Sequence, residues 1–194
     1  MERKTLEQTI DRMRNFINLQ VAAGFATEDE IVDTAVEVYS DEQPSAALFP
    51  HARRIVAQSR EAHLQEQANW EIVTDYDRLT NAFEDLENQG IISRQNFSCC
   101  GTCCADEILD EVEEATNKCK NVHGYAFFHM QDTEHAVEGQ GLYLSYGSGD
   151  GNPLAAVQIG HRVADTLKQH GLVTEWNGKL QTRIHVQMDW KRRQ

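Results

Sequence analysis

The sequence predicts an α+β protein, with a helical N-terminal region followed by a mixed β-sheet domain with two main helices and a C-terminal β-hairpin. Before Gly90 the apolar residues recur every three or four positions, which is the period of a helix. After Gly90 they alternate or form short runs, which is typical of strands. We therefore divide the chain into a helical region, residues 1–73, and an α+β domain, residues 74–194.

Four helices account for the region before Gly90. The first has one apolar face and ends at Gly24, a residue that suits the position after a helix. Thr27 begins a capping box, and so opens the second helix. Pro50 is expected in the first turn of the third helix. Thr74 caps the fourth helix, which ends at Gly90.

The rest of the chain predicts strands separated by helices. Strands are expected over residues 91–97, 125–130, 142–146, 172–176 and 180–188. An acidic helix over residues 104–118 connects the first two strands, and Pro153 begins a further helix. The last two strands form the hairpin, with Asn177-Gly178 as its turn.

The charge of the chain excludes several partners. It holds 31 acidic and 18 basic residues, for a net charge of −13. Because phosphate backbones attract basic proteins, we expect no nucleic-acid binding. No apolar stretch approaches the roughly 18 residues of a membrane span, and no secretory signal is visible, so we expect no membrane association and a cytoplasmic protein. The acidic excess lies before residue 118, where the net charge is −15, against +2 after it.

The five cysteines are unevenly distributed. Cys119 stands apart, and the other four lie close together at Cys99, Cys100, Cys103 and Cys104. In a reducing cytosol, clustered thiols indicate metal or redox chemistry rather than structural disulfides. Cys100 and Cys103 form a CxxC pair between a predicted strand and a predicted helix. The helix dipole there favours a thiolate, but the acidic residues that follow from Asp106 oppose it, so the two effects partly cancel.

Two long runs carry a family resemblance. They are Asn-Phe-Ser-Cys-Cys-Gly-Thr-Cys, which ends at Cys103, and Phe-Phe-His-Met-Gln-Asp-Thr-Glu, which ends at Glu134. With these runs the chain resembles a family of uncharacterised bacterial proteins known as DUF6891. The resemblance covers about residues 70–190 and implies no particular activity, cofactor or partner. We call these two segments the cysteine run and the histidine run.

The two runs are expected to meet in space. If the strands over residues 91–97 and 125–130 are parallel neighbours joined by a helix, both end at the same edge of the sheet. In open sheets that edge is the usual ligand crevice. The cysteine run would then lie beside His129, Asp132 and Glu134 of the histidine run. We therefore predict a thiol or metal-binding corner at this edge.

Three chemistries remain open for this corner. It could bind a metal ion, and for zinc the candidate ligands are Cys99, Cys100, Cys103 and His129. It could be redox-active through the CxxC pair. The third hypothesis is nucleophilic catalysis, in which a cysteine at the helix start is the nucleophile, His129 is its base, and Asp132 or Glu134 orients the imidazole. The sequence does not decide whether the protein is an enzyme.

A second zinc pattern conflicts with the predicted helix. On spacing alone the ligands would be Cys100, Cys103, Cys119 and His123. The predicted helix over residues 104–118 separates its two ends by roughly 20 Å, whereas a zinc–sulfur bond is about 2.3 Å long. This pattern therefore requires a broken helix.

The alternative function is that of a non-enzymatic acidic binding protein. An adaptor or an immunity-type protein of this kind would meet a basic protein partner through its acidic helices. It would hold no metal and would need neither cysteine of the CxxC pair. The C-terminal segment Lys191-Arg192-Arg193 is expected to be a solvated terminus.

Overall fold

The computed structural model describes residues 5–98, 101–118 and 121–194, and within residues 101–106 it describes the backbone alone. In these ranges the chain forms seven helices and five strands, so the α+β prediction is confirmed. The helices are α1 (Leu6–Ala23), α2 (Glu28–Tyr39), α3 (Ser45–Gln67), α4 (Asp75–Asn88), α5 (Gly101–Asn117), α6 (Met130–Val137) and α7 (Pro153–Gln169). The strands are β1 (Ile91–Arg94), β2 (Gly124–Phe127), β3 (Leu142–Ser148), β4 (Val173–Glu175) and β5 (Ile184–Gln187).

The chain separates into two compact units. The helical unit contains Met1–Ile72 together with Lys191–Gln194, and the α+β unit contains Val73–Trp190. Within the described residues, no helix combines the length and the apolar composition that a membrane span requires.

Three helices surround one apolar core in the helical unit. Capping boxes begin two of them, at Thr5 for α1 and at Thr27 for α2. α1 ends at Gly24, whose φ of 80° is the left-handed conformation that favours glycine. The buried core residues come from all three helices: Met13, Ile17, Val21, Ile31, Val32, Ala35, Val36, Tyr39, Leu48, Ala52, Ile55 and Val56.

The third helix begins earlier than expected. α3 starts at Ser45, so the prediction that Pro50 lies in its first turn is wrong, and Pro50 lies inside the helix. Proline in that position removes one helical hydrogen bond. Leu48 is fully buried in the same core as Ala52, and burying its side chain favours the extra turn before the proline.

The basic C-terminal segment packs on the helical unit, which corrects the expectation of a solvated terminus. The Arg192 guanidinium donates to the Gly24 carbonyl and lies 4.5 Å from the centre of the Phe25 ring. The Gln194 side-chain amide donates to the Val21 carbonyl. These contacts satisfy carbonyl groups at the C-terminal end of α1, where a helix lacks internal donors.

The α+β unit is built on a five-stranded mixed sheet in the order β1-β2-β3-β5-β4. β1 and β2 are parallel, with α5 as the crossover helix, and the other neighbours are antiparallel. α5 packs through Ile108 and Val112 against Ile92 and Phe127. Since side chains alternate along a strand, Gly124 faces the other side of the sheet, where its Cα lies against Ile159 of α7.

The C-terminal hairpin forms with a longer connection than expected. β4 pairs with β5 through Val173–Gln187 and Glu175–His185, so the predicted two-residue turn at Asn177-Gly178 is wrong. The Asn177 side-chain oxygen accepts hydrogen bonds from the Lys179 N–H and from the Thr182 hydroxyl. Asparagine therefore builds a local turn within a wider loop, rather than closing the strands directly.

Candidate functional site

The cysteine run and the histidine run are joined by main-chain hydrogen bonds at the end of β1 and β2. The Phe97 N–H donates to the Phe128 carbonyl over 2.8 Å, and the Met130 N–H donates to the Ser98 carbonyl over 3.2 Å. β1 and β2 are parallel neighbours, as the expected meeting of the runs requires. The peptide that leads into the cysteine run is therefore held against the peptide that carries His129.

Two strained residues lie directly before the cysteines. Asn96 has a φ of 50° and Ser98 a φ of 55°, and this left-handed conformation costs a non-glycine residue about 1 kcal/mol or more. The Asn96 side-chain oxygen accepts a hydrogen bond from the hydroxyl of Thr133, over 2.8 Å. Thr133 is buried in α6, so the histidine run stabilises the strained loop.

His129 caps a helix instead of continuing a strand. β2 ends at Phe127, so the predicted strand over residues 125–130 is wrong at its C-terminal end. His129 is the N-cap of α6, and its Nδ1 lies 3.3 Å from the Asp132 N–H, which points toward it. In return the Asp132 carboxylate accepts from the His129 N–H over 3.0 Å. The pair forms a capping box in which an imidazole takes the usual place of a hydroxyl.

The Asp132 carboxylate is the centre of a polar cluster with the buried His129 and the partly exposed Arg183. Asp132 is 1% exposed, and its Oδ2 lies 3.1 Å from Nδ1 of His129 and 2.5 Å from Nη2 of Arg183. The same Nη2 donates to the Tyr143 carbonyl over 2.7 Å. The guanidinium also lies 5.6 Å from the centre of the Tyr143 ring. Arg183 thus supplies the positive charge that a buried carboxylate requires.

Burial sets the protonation of the imidazole. Loss of solvent lowers the pKa of His129 below its ordinary value, although the Asp132 carboxylate acts in the opposite direction. The ring is therefore neutral near pH 7. Nδ1 can accept from the Asp132 N–H or, when it carries the proton, donate to Oδ2 of Asp132. The second arrangement leaves the Nε2 lone pair available for a metal ion or a proton.

Glu134 shares α6 with Asp132 but differs from it in environment. Glu134 is half-buried, and desolvation raises the pKa of its carboxyl group, with a further contribution from the nearby charge of Glu138. Asp132 contacts the imidazole directly. Of the two acids predicted as orienting groups, the structure therefore brings Asp132 to His129.

The predicted cysteine ligands belong to the least described part of the chain. Cys99 and Cys100 lie outside the described residues. Cys103 belongs to α5, and its side chain also lies outside the described part. Among the residues that the structure describes, no group of three or more His, Cys, Asp or Glu side chains is arranged to hold a metal ion.

The second zinc pattern lacks the break that it requires. α5 is continuous from Gly101 to Asn117, a length of about 25 Å along its axis. Cys103 lies near its start, whereas His123 lies beyond its end, where its N–H donates to the Gly90 carbonyl before β1. Cys119 lies outside the described residues. One ion cannot contact both Cys103 and His123.

Sequence reasoning did not identify Arg183 as part of the corner. Arg183 lies directly before β5, and its neighbour Ile184, the first residue of that strand, is fully buried. A basic residue next to a buried strand position is the only local signal. Its partner Asp132 lies 51 positions earlier in the chain, so the pairing depends on the β3–β5 pairing and is invisible in the sequence.

Comparison with known proteins identifies the family. No curated protein and no solved structure matches the chain. A family model described as "Domain of unknown function (DUF6891)" matches residues 6–194. The match begins at α1, well before the expected start near residue 70, so the helical unit is part of the family's domain. The chain therefore belongs to the DUF6891 family.

Proposed function

We propose that the protein acts in the cytoplasm through a thiol corner that consists of Cys99, Cys100, Cys103 and His129. The observation that carries the proposal is the pair of main-chain hydrogen bonds between the loop before Cys99 and the segment around His129. In a reducing compartment these cysteines stay free to bind a metal ion or to react.

His129 is suited to both forms of this chemistry. A neutral imidazole is the form that ligates a metal ion or accepts a proton, and burial lowers the pKa of His129. Asp132 contacts the ring, and Arg183 in turn holds the Asp132 carboxylate. The Asp132 carboxylate orients the imidazole and acts against the loss of basicity that burial causes.

The two forms of the proposal differ in what the cysteines bind. In the metal form, thiolates of the cysteine run and Nε2 of His129 are the ligands, and zinc is the ion that prefers such a set. In the thiol form, one cysteine gives its proton to Nε2 of His129, and the resulting thiolate is the nucleophile or the redox group. Both forms need a cysteine of the run beside the imidazole.

The test is a metal analysis combined with a thiol count on freshly purified, oxygen-protected protein. The metal form predicts about one equivalent of zinc or iron. The thiol form predicts no metal and a reversible change of two thiols, or the rapid reaction of one, under mild conditions. A metal-free protein with five unreactive thiols would contradict the proposal.

Matched variants separate this chemistry from simple packing. Cys100→Ser with Cys103→Ser is expected to abolish metal retention or the reactive thiols. Cys119→Ser, which lies outside both runs, is expected to leave them intact. His129→Asn retains a side-chain acceptor at the N-cap but removes the imidazole, so it is expected to leave α6 folded and to impair the corner.

A further inference from the structure

β1 is an edge strand whose outer side is covered by side chains. Its only neighbour among the described strands is β2. The carbonyl groups of Gly90 and Arg94 face β2, since they accept from the N–H groups of His123 and Phe128. The main-chain groups of Ser93 therefore face away from the sheet.

The side chains of Glu87 and Arg94 form hydrogen bonds with the outward main-chain groups of Ser93. The Ser93 N–H donates to Oε1 of Glu87 over 2.7 Å, and Nη1 of Arg94 donates to the Ser93 carbonyl over 2.9 Å. Arg94 also bridges two carboxylates, at 2.6 Å from Glu87 and 2.6 Å from Glu111. Side chains thus take the place that the main chain of a further strand would occupy.

A groove runs beside this edge. Its volume is about 660 Å³, and α4 and α5 both contribute residues from their C-terminal ends. The charged residues that line it are three acids and two bases: Glu87, Glu111, Glu114, Arg94 and Lys118. The carbonyl ends of helices carry partial negative charge, which adds to that of the carboxylates. Residues 74–117, which include both helices, carry a net charge of −9.

We infer that this edge docks an extended segment of a basic protein by adding a strand to β1. The main chain of that segment replaces Glu87 and Arg94 on the N–H and carbonyl of Ser93. An arginine or lysine side chain of the segment then replaces Arg94 between Glu87 and Glu111. Charge complementarity identifies the occupant, and strand addition supplies the main-chain hydrogen bonds. This gives the expected basic partner a definite surface, and it does not depend on the thiol corner.

The test uses a fluorescent peptide of about eight residues that alternates arginine and valine, with the full chain as receptor. At physiological salt we expect saturable binding and a shift of the Ser93 amide signal in NMR spectra. Arg94→Gln removes the internal competitor and is expected to tighten binding about five-fold. Lys168→Gln removes an equal charge from the exposed Lys168–Asp165 pair of α7, and is expected to change binding less than two-fold.

A variant without the outward N–H of Ser93 is expected to weaken binding, whereas Arg94→Gln is expected to tighten it. Ser93→Pro removes that donor at an edge, where proline is tolerated, and is expected to abolish binding. A peptide with glutamate in place of arginine is expected not to bind. The proposal is contradicted if the Ser93 amide signal does not shift with the basic peptide, or if Arg94→Gln and Lys168→Gln bind it equally. That last outcome would mean attraction to the net charge alone.

Discussion

The helical unit and the α+β unit both begin helices with capping boxes, but they do not use the same residues in them. Threonine forms the capping boxes of α1 and α2 in the helical unit and of α4 in the α+β unit. In α6 the capping residue is His129, buried beside Asp132. A hydroxyl is sufficient for capping, and the proposed function gives the imidazole the additional role of a ligand or a base. The comparison shows that the α6 cap brings an imidazole into contact with a buried carboxylate, which the threonine caps do not.

Buried polar residues show the same contrast. In the described part of the helical unit they are Thr9 and His63, whereas the histidine run buries His129, Asp132 and Thr133 within five consecutive positions. Burying polar groups costs free energy unless each is paired. A fully paired cluster of this kind rigidifies the structure around it.

The largest effect is expected from the apolar core of the helical unit. Ile55 is fully buried there, so Ile55→Ala is expected to lower the free energy of unfolding by about 3 kcal/mol through lost burial and a cavity. Denaturant unfolding of the helical unit measures this change. Ile72→Ala is the control, because Ile72 is 94% exposed and its truncation costs little. A cost below 1 kcal/mol for Ile55→Ala would contradict the packing role.

A smaller effect is expected from the ion pair between the buried Asp132 and the partly exposed Arg183. Arg183→Met leaves the Asp132 carboxylate buried without its cation, and is expected to cost about 2 kcal/mol. The double variant with Asp132→Asn is expected to cost less than the sum of the two single variants, since both remove one interaction. Additive costs in the unfolding free energies would show that the pair is not coupled.

Removal of residues 191–194 is expected to affect the helical unit and to leave the α+β unit unchanged. The deletion takes away the donors to the carbonyl groups of Val21 and Gly24, and is expected to destabilise the helical unit by about 1–2 kcal/mol. Amide hydrogen exchange is the measurement, with faster exchange expected in α1. The amide of Ile184, in β5, is the internal control and is expected to keep its protection. Equal loss of protection in both units would contradict the division.

The smallest effect is a pH dependence of the α+β unit. Because burial lowers the pKa of His129, the unfolded chain takes up this proton at a higher pH than the folded chain. Stability is therefore lost as the pH falls from about 7 through 6.5 toward the folded-state pKa. His129→Asn is expected to remove this loss, as measured by unfolding at several pH values. Glu134, whose pKa is raised by burial, is present in both proteins and cancels in the comparison.

Gln131→Ala is the matched control for that experiment. Gln131 is exposed on the same helix, so its truncation is expected to preserve the native pH dependence. An unchanged pH dependence in His129→Asn would mean that the imidazole titrates alike in the folded and unfolded chains.

Local sequence patterns predicted where most helices and strands lie, whereas the exact start of α3 and the connection of the hairpin depend on contacts between distant residues. Thr27, Thr74 and Pro153 begin helices as expected, because capping depends on neighbours a few positions away. The prediction for Pro50 is wrong because burial of the Leu48 side chain stabilises the helix by more than the loss of one hydrogen bond costs. The predicted Asn177-Gly178 turn is wrong because β4 and β5 pair in another register, with Glu175 opposite His185.

The corner was partly predictable for the same reason. The parallel β1–β2 pairing follows from the strand–helix–strand order, and it brings the two runs together. The role of His129 as a helix cap depends on Asp132, three positions away, and was missed because the apolar run before it is typical of a strand. Arg183 could not be assigned, since its contact with Asp132 depends on the whole sheet.

The central claim is that the cysteine run and His129 act together. The most direct test measures the alkylation rate of each cysteine by mass spectrometry, in the native protein and in His129→Asn. The thiol corner predicts that at least one of Cys99, Cys100 and Cys103 changes its rate about ten-fold, because it loses either a shared metal ion or its base. Cys119 is expected to react at the same rate in both proteins. Unchanged rates at all three cysteines of the corner would contradict the claim.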